Sequence, residues 1–277
     1  MDPSSFLRAY DFTGKTFAVT GGGGVLCGEL ARALAACNAN VVILDRDLGL
    51  AGKTLATLNG TKGKHGALYI DVLDKSAIDK AVDSILADYG VIDGLINGAG
   101  GNSPKATTNA DQTFFDIPAE ALQFVSNLNL QGTILPSQGF GRAMAKQKHG
   151  VILNVSSMNA FRPLTRIPAY SAAKAAVSNF TQWLAVHLAQ EYSPSLRVNA
   201  IAPGFFLTEQ NRFLLTDKET GKLTARGNKI IEHTPMARFG SPEDLVGATL
   251  WLLSPASQFV TGIVVPIDGG FSAYSGV

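Results

Sequence analysis

The sequence predicts an α/β fold: one doubly wound domain with a parallel sheet of seven strands and helices on both faces. Three observations lead there. Short apolar runs and helical stretches alternate along all 277 residues. The runs are apolar over their whole length rather than at every second position, as strands covered on both faces must be. The 29 glycines exceed the usual share of ~7% and gather at the ends of those runs. Hydrophobic residues make 46% of the chain and charged residues 16%, so a sizeable core is expected and disorder is not. No repeat, low-complexity tract or linker divides the chain, and residues 1–277 are read as a single domain.

In order, residues 1–14 are read as an extended arm. Thr16–Thr20 is a short apolar strand that ends in Gly21-Gly22-Gly23-Gly24. Residues 25–39 are helical, with Leu26, Leu30, Ala33 and Leu34 on one face. Val41–Leu44 is the next strand, closed by Asp45, and a weaker helix covers 48–59. Ala67–Ile70 forms a third strand ending at Asp71. A helix over 74–89 leads to the strand Asp93–Asn97 and a second glycine turn, Gly98-Ala99-Gly100-Gly101. Residues 102–118, of mixed polarity, read as a loop, and a long helix is predicted over 119–148.

Val151–Val155 is rich in β-branched residues and stops at Ser156-Ser157. A loop with Arg162, Pro163, Arg166 and Pro168 precedes an alanine-rich helix over 169–192. Leu196–Ile201 is the sixth strand, followed by Pro203-Gly204. Residues 205–240 are polar and irregular, and read as a lid over the substrate. A helix opens at Ser241-Pro242, with serine as N-cap and proline in the first position. Ile263–Ile267 supplies the last strand.

Composition excludes several classes. A net charge of +1 argues against a nucleic-acid partner. Cys27 and Cys37 share one helical stretch and are too few for a disulfide framework, which points to free thiols in a reducing compartment. The first residues lack a basic segment followed by an apolar core, and no apolar run nears the ~20 residues of a membrane span. A cytoplasmic protein with no membrane partner is the expectation. His65, His149, His187 and His233 are scattered without ligand spacing, so no catalytic metal is expected. His187 is expected to pack or to face an interface.

The chemistry centres on three residues. Tyr170 and Lys174 are four apart on the alanine-rich helix and share a face. Ser157 lies thirteen positions before Tyr170, at the mouth of a strand. A phenol of pKa ~10 is a poor proton-transfer group near neutrality, and a neighbouring cation favours its ionised form. The serine hydroxyl can hold the same substrate oxygen. Such a group suits removal of a proton from an alcohol, or its return to a carbonyl, while a hydride moves elsewhere. YxxxK alone would more often be an ordinary surface pair. Its setting decides otherwise.

That setting is a dinucleotide site. Gly21–Gly24 joins the first strand to the first helix, where a Rossmann unit seats a pyrophosphate on backbone N–H groups and the helix dipole. Asp45 ends the second strand, 24 residues after Gly21, where a carboxylate accepts the adenosine ribose hydroxyls and repels a 2′-phosphate. Arg46 is the one feature that softens that preference. NAD rather than NADP is therefore the expected cofactor, with Gly21, Gly23, Gly24, Val25, Leu26 and Asp45 as contacts.

Over about Gly14 to Gly270 the chain resembles the short-chain dehydrogenase/reductases. The resemblance rests on Thr20-Gly21, Asp71-Val72, Asn97-Gly-Ala-Gly100, Asn129 in Asn-Leu-Gln-Gly, and Ser157. It continues with Tyr170-Ser-Ala-Ala-Lys174, Pro203-Gly204 with Thr208, and Arg238-Phe-Gly-Ser-Pro-Glu-Asp. It implies that Tyr170 is the acid/base and that Lys174 lowers its pKa and binds the nicotinamide ribose. Ser157 would orient the substrate oxygen and Asn129 would hold a relay water. Asp71 and Val72 would border the adenine, Asn97, Gly98 and Ala99 the adenosine ribose, and Pro203, Gly204 and Thr208 the nicotinamide. Two positions depart from the family pattern: Val25 and Cys27 stand where glycines are common, and Gly98 where asparagine is. A side chain at Cys27 is expected to press the first helix away from the sheet, unless Gly24 and Gly28 serve in place of the missing glycines.

Within the family the glycine-rich segments look most like mannonate oxidoreductases and gluconate 5-dehydrogenases. A sugar acid needs a cation for its carboxylate and polar groups for its hydroxyls, and a guanidinium can grip a carboxylate with two parallel bonds. Asn102, Lys105, Ser157 and Arg162 are the candidates, with Arg166, Arg212 and His233 behind them. Phe205, Phe206, Phe213 and Leu214 keep open an apolar pocket for a 3-ketoacyl or steroid-like ketone. A non-catalytic dinucleotide sensor would have no need of the Ser–Tyr–Lys–Asn group. Helices 119–148 and 169–192 are apolar on more than one face, which suits pairing between subunits, and the family's tetramers or dimers agree.

Overall fold

The computed structural model describes residues 8–207, 215–217 and 220–276. Seven strands form one parallel sheet: β1 (Thr16–Thr20), β2 (Asn40–Asp45), β3 (His65–Tyr69), β4 (Gly94–Asn97), β5 (Gly150–Val155), β6 (Leu196–Pro203) and β7 (Val264–Ile267). Their spatial order is β3-β2-β1-β4-β5-β6-β7. Eight α-helices of eight residues or more are described: α1 (Val25–Ala36), α2 (Leu48–Ala56), α3 (Lys75–Tyr89), α4 (Ala119–Ser126), α5 (Gly132–Gln147), α6 (Pro168–Glu191), α7 (Ala225–Glu232) and α8 (Val246–Leu253).

Parallel strands need crossover helices, and helices on both sides bury both faces of the sheet. One core layer packs Phe17, Val19, Leu30, Leu34, Ile43, Ile96 and Leu252 together; the other packs Val42, Leu44, Ile78, Ile85, Leu95, Phe140 and Val198. Residues within one strand alternate between the two layers, so most strand positions are apolar, as the sequence pattern predicts.

The register fixes where chemistry can occur. Thr20 of β1 pairs with Leu44 on one side and Asn97 on the other, and Asn97 pairs with Asn154. The strand order reverses between β1 and β4, and the connections leave in opposite directions. A crevice opens there beyond the carboxyl ends, the usual ligand position in doubly wound sheets. Both glycine turns, Asp45 and Ser157 follow strands at that edge.

Three elements differ from expectation. The third strand begins at His65, because its pairing with Val41–Asp45 extends through His65 and Gly66. The helix expected over 119–148 is interrupted by a π turn at Asn127–Gln131, in which Gly132 N–H donates to Asn127 O. The end of the N-terminal arm is docked rather than extended: Phe12 is buried edge-on to Phe17 at 5.1 Å and its N–H donates to Cys37 O.

Of the segment 205–240, expected as a lid, residues 205–207, 215–217 and 220–240 are described. Leu207 N–H donates to Gly240 O and Gly240 N–H to Phe205 O, which closes its base, while α7 forms its far side.

Candidate active site

The two glycine turns touch. Gly21 has φ +65°, and a Cβ there would lie 2.9 Å from the backbone of Ala99, so only glycine serves. Gly24 caps α1 without any side-chain bond, and no acidic residue sits in the first turn. Unpaired amides of that turn are available to an anion. Gly23 N–H donates to Asp45 Oδ2 at 3.0 Å and Asp47 N–H to Asp45 Oδ1 at 2.9 Å, which orients the carboxylate at the end of β2.

Gly21, Gly24 and Asp45 line a cleft of about 390 Å³ with Val25, Leu26, Asp71, Val72, Gly98 and Ala99, while Gly23 lies behind Asp45 and does not line it. The glycine cradle, the helix N-terminus and the oriented carboxylate fit a dinucleotide. Cys27, Arg46, Leu50, Ile70, Gly100 and Leu128 also line the cleft. Of these, Gly100 was legible as part of the second glycine turn, whereas Leu50, Ile70 and Leu128 carry no motif signal.

The two departures from the family pattern meet in space. A Cβ on Gly98 would overlap Cys27 Sγ far inside van der Waals contact. The Cys27 side chain fills the volume that a side chain at 98 would take. It does not force α1 off the sheet, because position 98 has yielded the space. Gly24 and Gly28 do take structural roles: Gly28 N–H bonds Gly24 O at 2.7 Å, and a Cβ at Gly28 would only touch Thr54 at 3.4 Å.

Two other cofactor expectations are corrected in detail. The Asn97 side chain points down into the core rather than at a ribose, with Nδ2 donating to Ser137 Oγ and to Asn154 Oδ1, each at 2.9 Å. Pro203 ends β6, and Gly204 lies so close to Asp268 that a Cβ would sit 2.6 Å from its Cβ; neither lines the cleft. Thr208, Arg212, Phe213 and Leu214 lie outside the described residues.

The Ser–Tyr–Lys group is assembled. Ser157 follows β5, and its Oγ accepts Asn159 N–H at 3.3 Å, which caps the turn Met158–Ala160. Ser157 and Tyr170 lie close enough for the serine hydroxyl to act on the phenol. Lys174, one turn along α6, places Nζ 5.7 Å from the Tyr170 ring centroid and donates to Val155 O at 2.7 Å. Burial pushes the Tyr170 phenol above its ordinary value, and Ser157 pulls it back only in part. Burial also lowers Lys174 to about 8 and raises the nearby Cys27 thiol to about 12.

Asn129 is buried in the π turn. Its Nδ2 donates to Gly101 O (2.7 Å) and Val125 O (2.8 Å), and its Oδ1 accepts Gly101 N–H at 3.2 Å. A Cβ on Gly100 would fall 2.8 Å from Asn129 Oδ1 and 3.3 Å from Lys174 Nζ, so these two groups border one small space. The Asn129 carboxamide is committed to the protein; its backbone carbonyl is the group left for a relay water.

The substrate candidates border the same edge from exposed loops. Asn102 Nδ2 donates to Thr107 Oγ1 at 2.8 Å, Lys105 is exposed, and exposed Arg162 donates through Nε to Ser272 O at 3.1 Å. Thr108 N–H bonds Arg166 O at 2.9 Å and ties the two loops together. His233 meets Phe271 and Tyr274 instead, at ring distances of 6.5 and 6.4 Å. Among the described residues no group of three or more His, Cys, Asp or Glu could hold a metal ion.

A dinucleotide cradle beside a buried Ser–Tyr–Lys group, at the switch point of a parallel sheet, defines an oxidoreductase that acts on a hydroxyl or carbonyl group. The family model described as Enoyl-(Acyl carrier protein) reductase matches residues 26–272. A solved Haemophilus influenzae protein, a candidate D-mannonate oxidoreductase with bound NAD, is similar at 48% identity and a TM-score of 0.90, covering 97% of this chain and 99% of that one. The 7alpha-hydroxysteroid dehydrogenase of Escherichia coli (strain K12) is 30% identical over 93% of this chain and 94% of its own. The 5-keto-D-gluconate 5-reductase of the same strain is 32% identical over 94% and 96%. This chain belongs to the short-chain dehydrogenase/reductase family.

Proposed function

We propose that this chain is an NAD(H)-dependent oxidoreductase that interconverts a secondary alcohol and a ketone on a sugar acid of the mannonate/fructuronate or gluconate/5-ketogluconate type. The observation that carries the reading is the juxtaposition of the buried Ser157–Tyr170–Lys174 group with the Asp45-bearing glycine cleft. Asp45 supports NAD over NADP, since a fixed carboxylate repels a 2′-phosphate, and the solved relative holds NAD. Two relatives with sugar-acid names, and the cationic loops carrying Lys105 and Arg162, support the substrate class. Two aromatics of the apolar alternative, buried Phe206 and Phe205, which packs edge-on against Phe271 at 5.2 Å, line a separate cavity of about 360 Å³ with Thr234 and Met236 rather than the cofactor cleft.

When bound, the nicotinamide would exchange a hydride with the substrate carbon. The chain supplies the rest. Ser157 holds the reacting oxygen, and the Tyr170 phenolic oxygen takes its proton during oxidation or returns it during reduction. Lys174 and Asn129 border the space through which that proton reaches solvent. Two different rate profiles follow. A phenol held above its ordinary value of ~10 is protonated at neutrality, the state reduction requires. Alcohol oxidation, which needs the phenolate, is expected to accelerate as pH rises from neutrality, and ketone reduction to stay level and to slow only above pH ~10, measured as kcat in each direction.

The test of substrate class is a panel of keto-sugar acids, including fructuronate and 5-ketogluconate, against keto-steroids and ketoacyl thioesters, with NADH and NADPH. Turnover of a sugar acid with NADH supports the reading; activity confined to apolar ketones overturns the substrate class.

We also propose a homo-oligomer, dimer or tetramer, paired through α5 and α6. These helices border an apolar groove of about 850 Å³, in which half-exposed Trp183 stacks on His187 at 4.7 Å. Exposed aromatic side chains gathered along one groove, Trp183 and Tyr192 here, mark a candidate contact surface. Trp183→Glu is expected to convert the assembly to monomer, read by light scattering coupled to gel filtration. Among the described residues no helix is long and apolar enough to cross a membrane.

A further inference from the structure

A line of five buried polar side chains runs from the core to the carbonyl of Asn129. Thr133 Oγ1 donates to Asn129 O at 2.8 Å, and Ser137 Oγ donates to Thr133 O at 2.7 Å. Ser137 Oγ accepts Asn97 Nδ2 at 2.9 Å, and the same amide nitrogen donates to Asn154 Oδ1 at 2.9 Å. Asn154 Nδ2 donates to Thr181 Oγ1 at 2.9 Å, and Thr181 donates to Val177 O at 2.8 Å. None of the five is more than 4% exposed.

Hydrogen bonds buried in a core add little net stability over apolar side chains of the same shape, yet a half-satisfied set is costly. A ladder of this kind therefore specifies position. Its upper end acts where α4 and α5 are joined by a π turn, a wide and strained form of helix common at functional sites. Gly101 grips the Asn129 side chain from the second glycine turn, and Thr133 grips its carbonyl from α5. The lower end is anchored on the carboxyl ends of β4 and β5, the same strand ends that carry the cofactor cleft and Ser157.

We propose that Thr133 and Ser137 are positioning residues: with Asn97 and Asn154 they fix the backbone carbonyl of Asn129 relative to Lys174, and so act on turnover rather than on substrate binding. This rests on the reading of Asn129 as part of the proton path. Thr133 Oγ1 uses one lone pair of the Asn129 carbonyl and leaves the other for a water. Without the hydroxyl the carbonyl is free to rotate toward the helix axis and the π turn to relax.

The test compares Thr133→Val, Thr133→Ser, Ser137→Ala and Asn129→Ala. Steady-state kinetics on the best substrate of the panel are combined with hydrogen–deuterium exchange of the cofactor-free protein. Thr133→Val is expected to lower kcat about tenfold, the scale of one lost hydrogen bond, with KM within twofold of wild type. Amides over residues 127–133 are expected to exchange faster while the β4 and β5 amides do not change. Thr133→Ser, which keeps the hydroxyl, is expected to restore both readouts, and Ser137→Ala to show a smaller effect of the same kind. A kcat within twofold of wild type in Thr133→Val, or a raised KM with unchanged kcat, overturns the positioning role provided Asn129→Ala is impaired. Asn129→Ala keeps that carbonyl but loses the side-chain grip on Gly101, so wild-type kcat despite faster exchange over residues 127–133, in this variant or in Thr133→Val, instead removes the reading of the carbonyl on which the role depends. If Thr133→Val does not fold, Ser137→Ala decides by the same criteria.

Discussion

Tyr170→Phe is expected to lower turnover by roughly 10²- to 10⁴-fold, the usual contribution of a positioned acid/base, with little change in NADH affinity. The ring would still pack beside Ala106, Val125 and Ala169, so α6 is not disturbed. What is lost is the hydroxyl beside Ser157 that would exchange a proton with the substrate oxygen. The measurement is kcat beside NADH binding followed by fluorescence. Equal losses in both would mean that the phenol serves binding and not proton transfer. Ser157→Ala should lose less, because it removes a hydrogen-bond donor and leaves the acid/base in place.

Gly98→Asn is expected to cripple cofactor binding, and adding Cys27→Gly is expected to restore it. Position 98 carries no side chain because Cys27 Sγ already fills that volume against Thr20 and the second glycine turn. Forcing a side chain into a packed site costs on the order of 1–3 kcal/mol, and here the strain falls on the loop that lines the cleft. NADH affinity in the single variant should fall about tenfold to a hundredfold by that scale. In the double variant glycine at 27 reopens the space, and affinity should return to within about threefold of wild type. The double-mutant cycle gives the coupling directly. Additive losses in the double variant would mean that the two positions do not share one volume.

The same pair shows what a sequence can and cannot display. Val25, Cys27 and Gly98 were legible as departures from a pattern, but that Cys27 and Gly98 compensate each other is a contact between positions 71 apart. The seven strands were legible because burial on both faces makes most positions apolar, and β3 begins two residues early where pairing with β2 extends it. Ser157, Tyr170 and Lys174 were legible from spacing, since helical pitch fixes the last two on one face. The break in the helix over 119–148 was not, because Asn129 bends it through bonds to Gly101, a partner far away in sequence. Asn97 was placed at the cofactor because its neighbours are there, whereas strand alternation turns its side chain into the core.

The central claim is that this chain moves a hydride between NAD and a carbinol carbon of a sugar acid while Tyr170 handles the proton. The most direct measurement is the mass of the product after reduction of fructuronate or 5-ketogluconate with NADH deuterated at C4 of the nicotinamide, in ordinary water. The account predicts a product heavier by about one mass unit from a single transferred label, formed by the wild type and not by Tyr170→Phe. Tight NADH binding with no label in any product would contradict it and would leave a dinucleotide-binding protein without this chemistry.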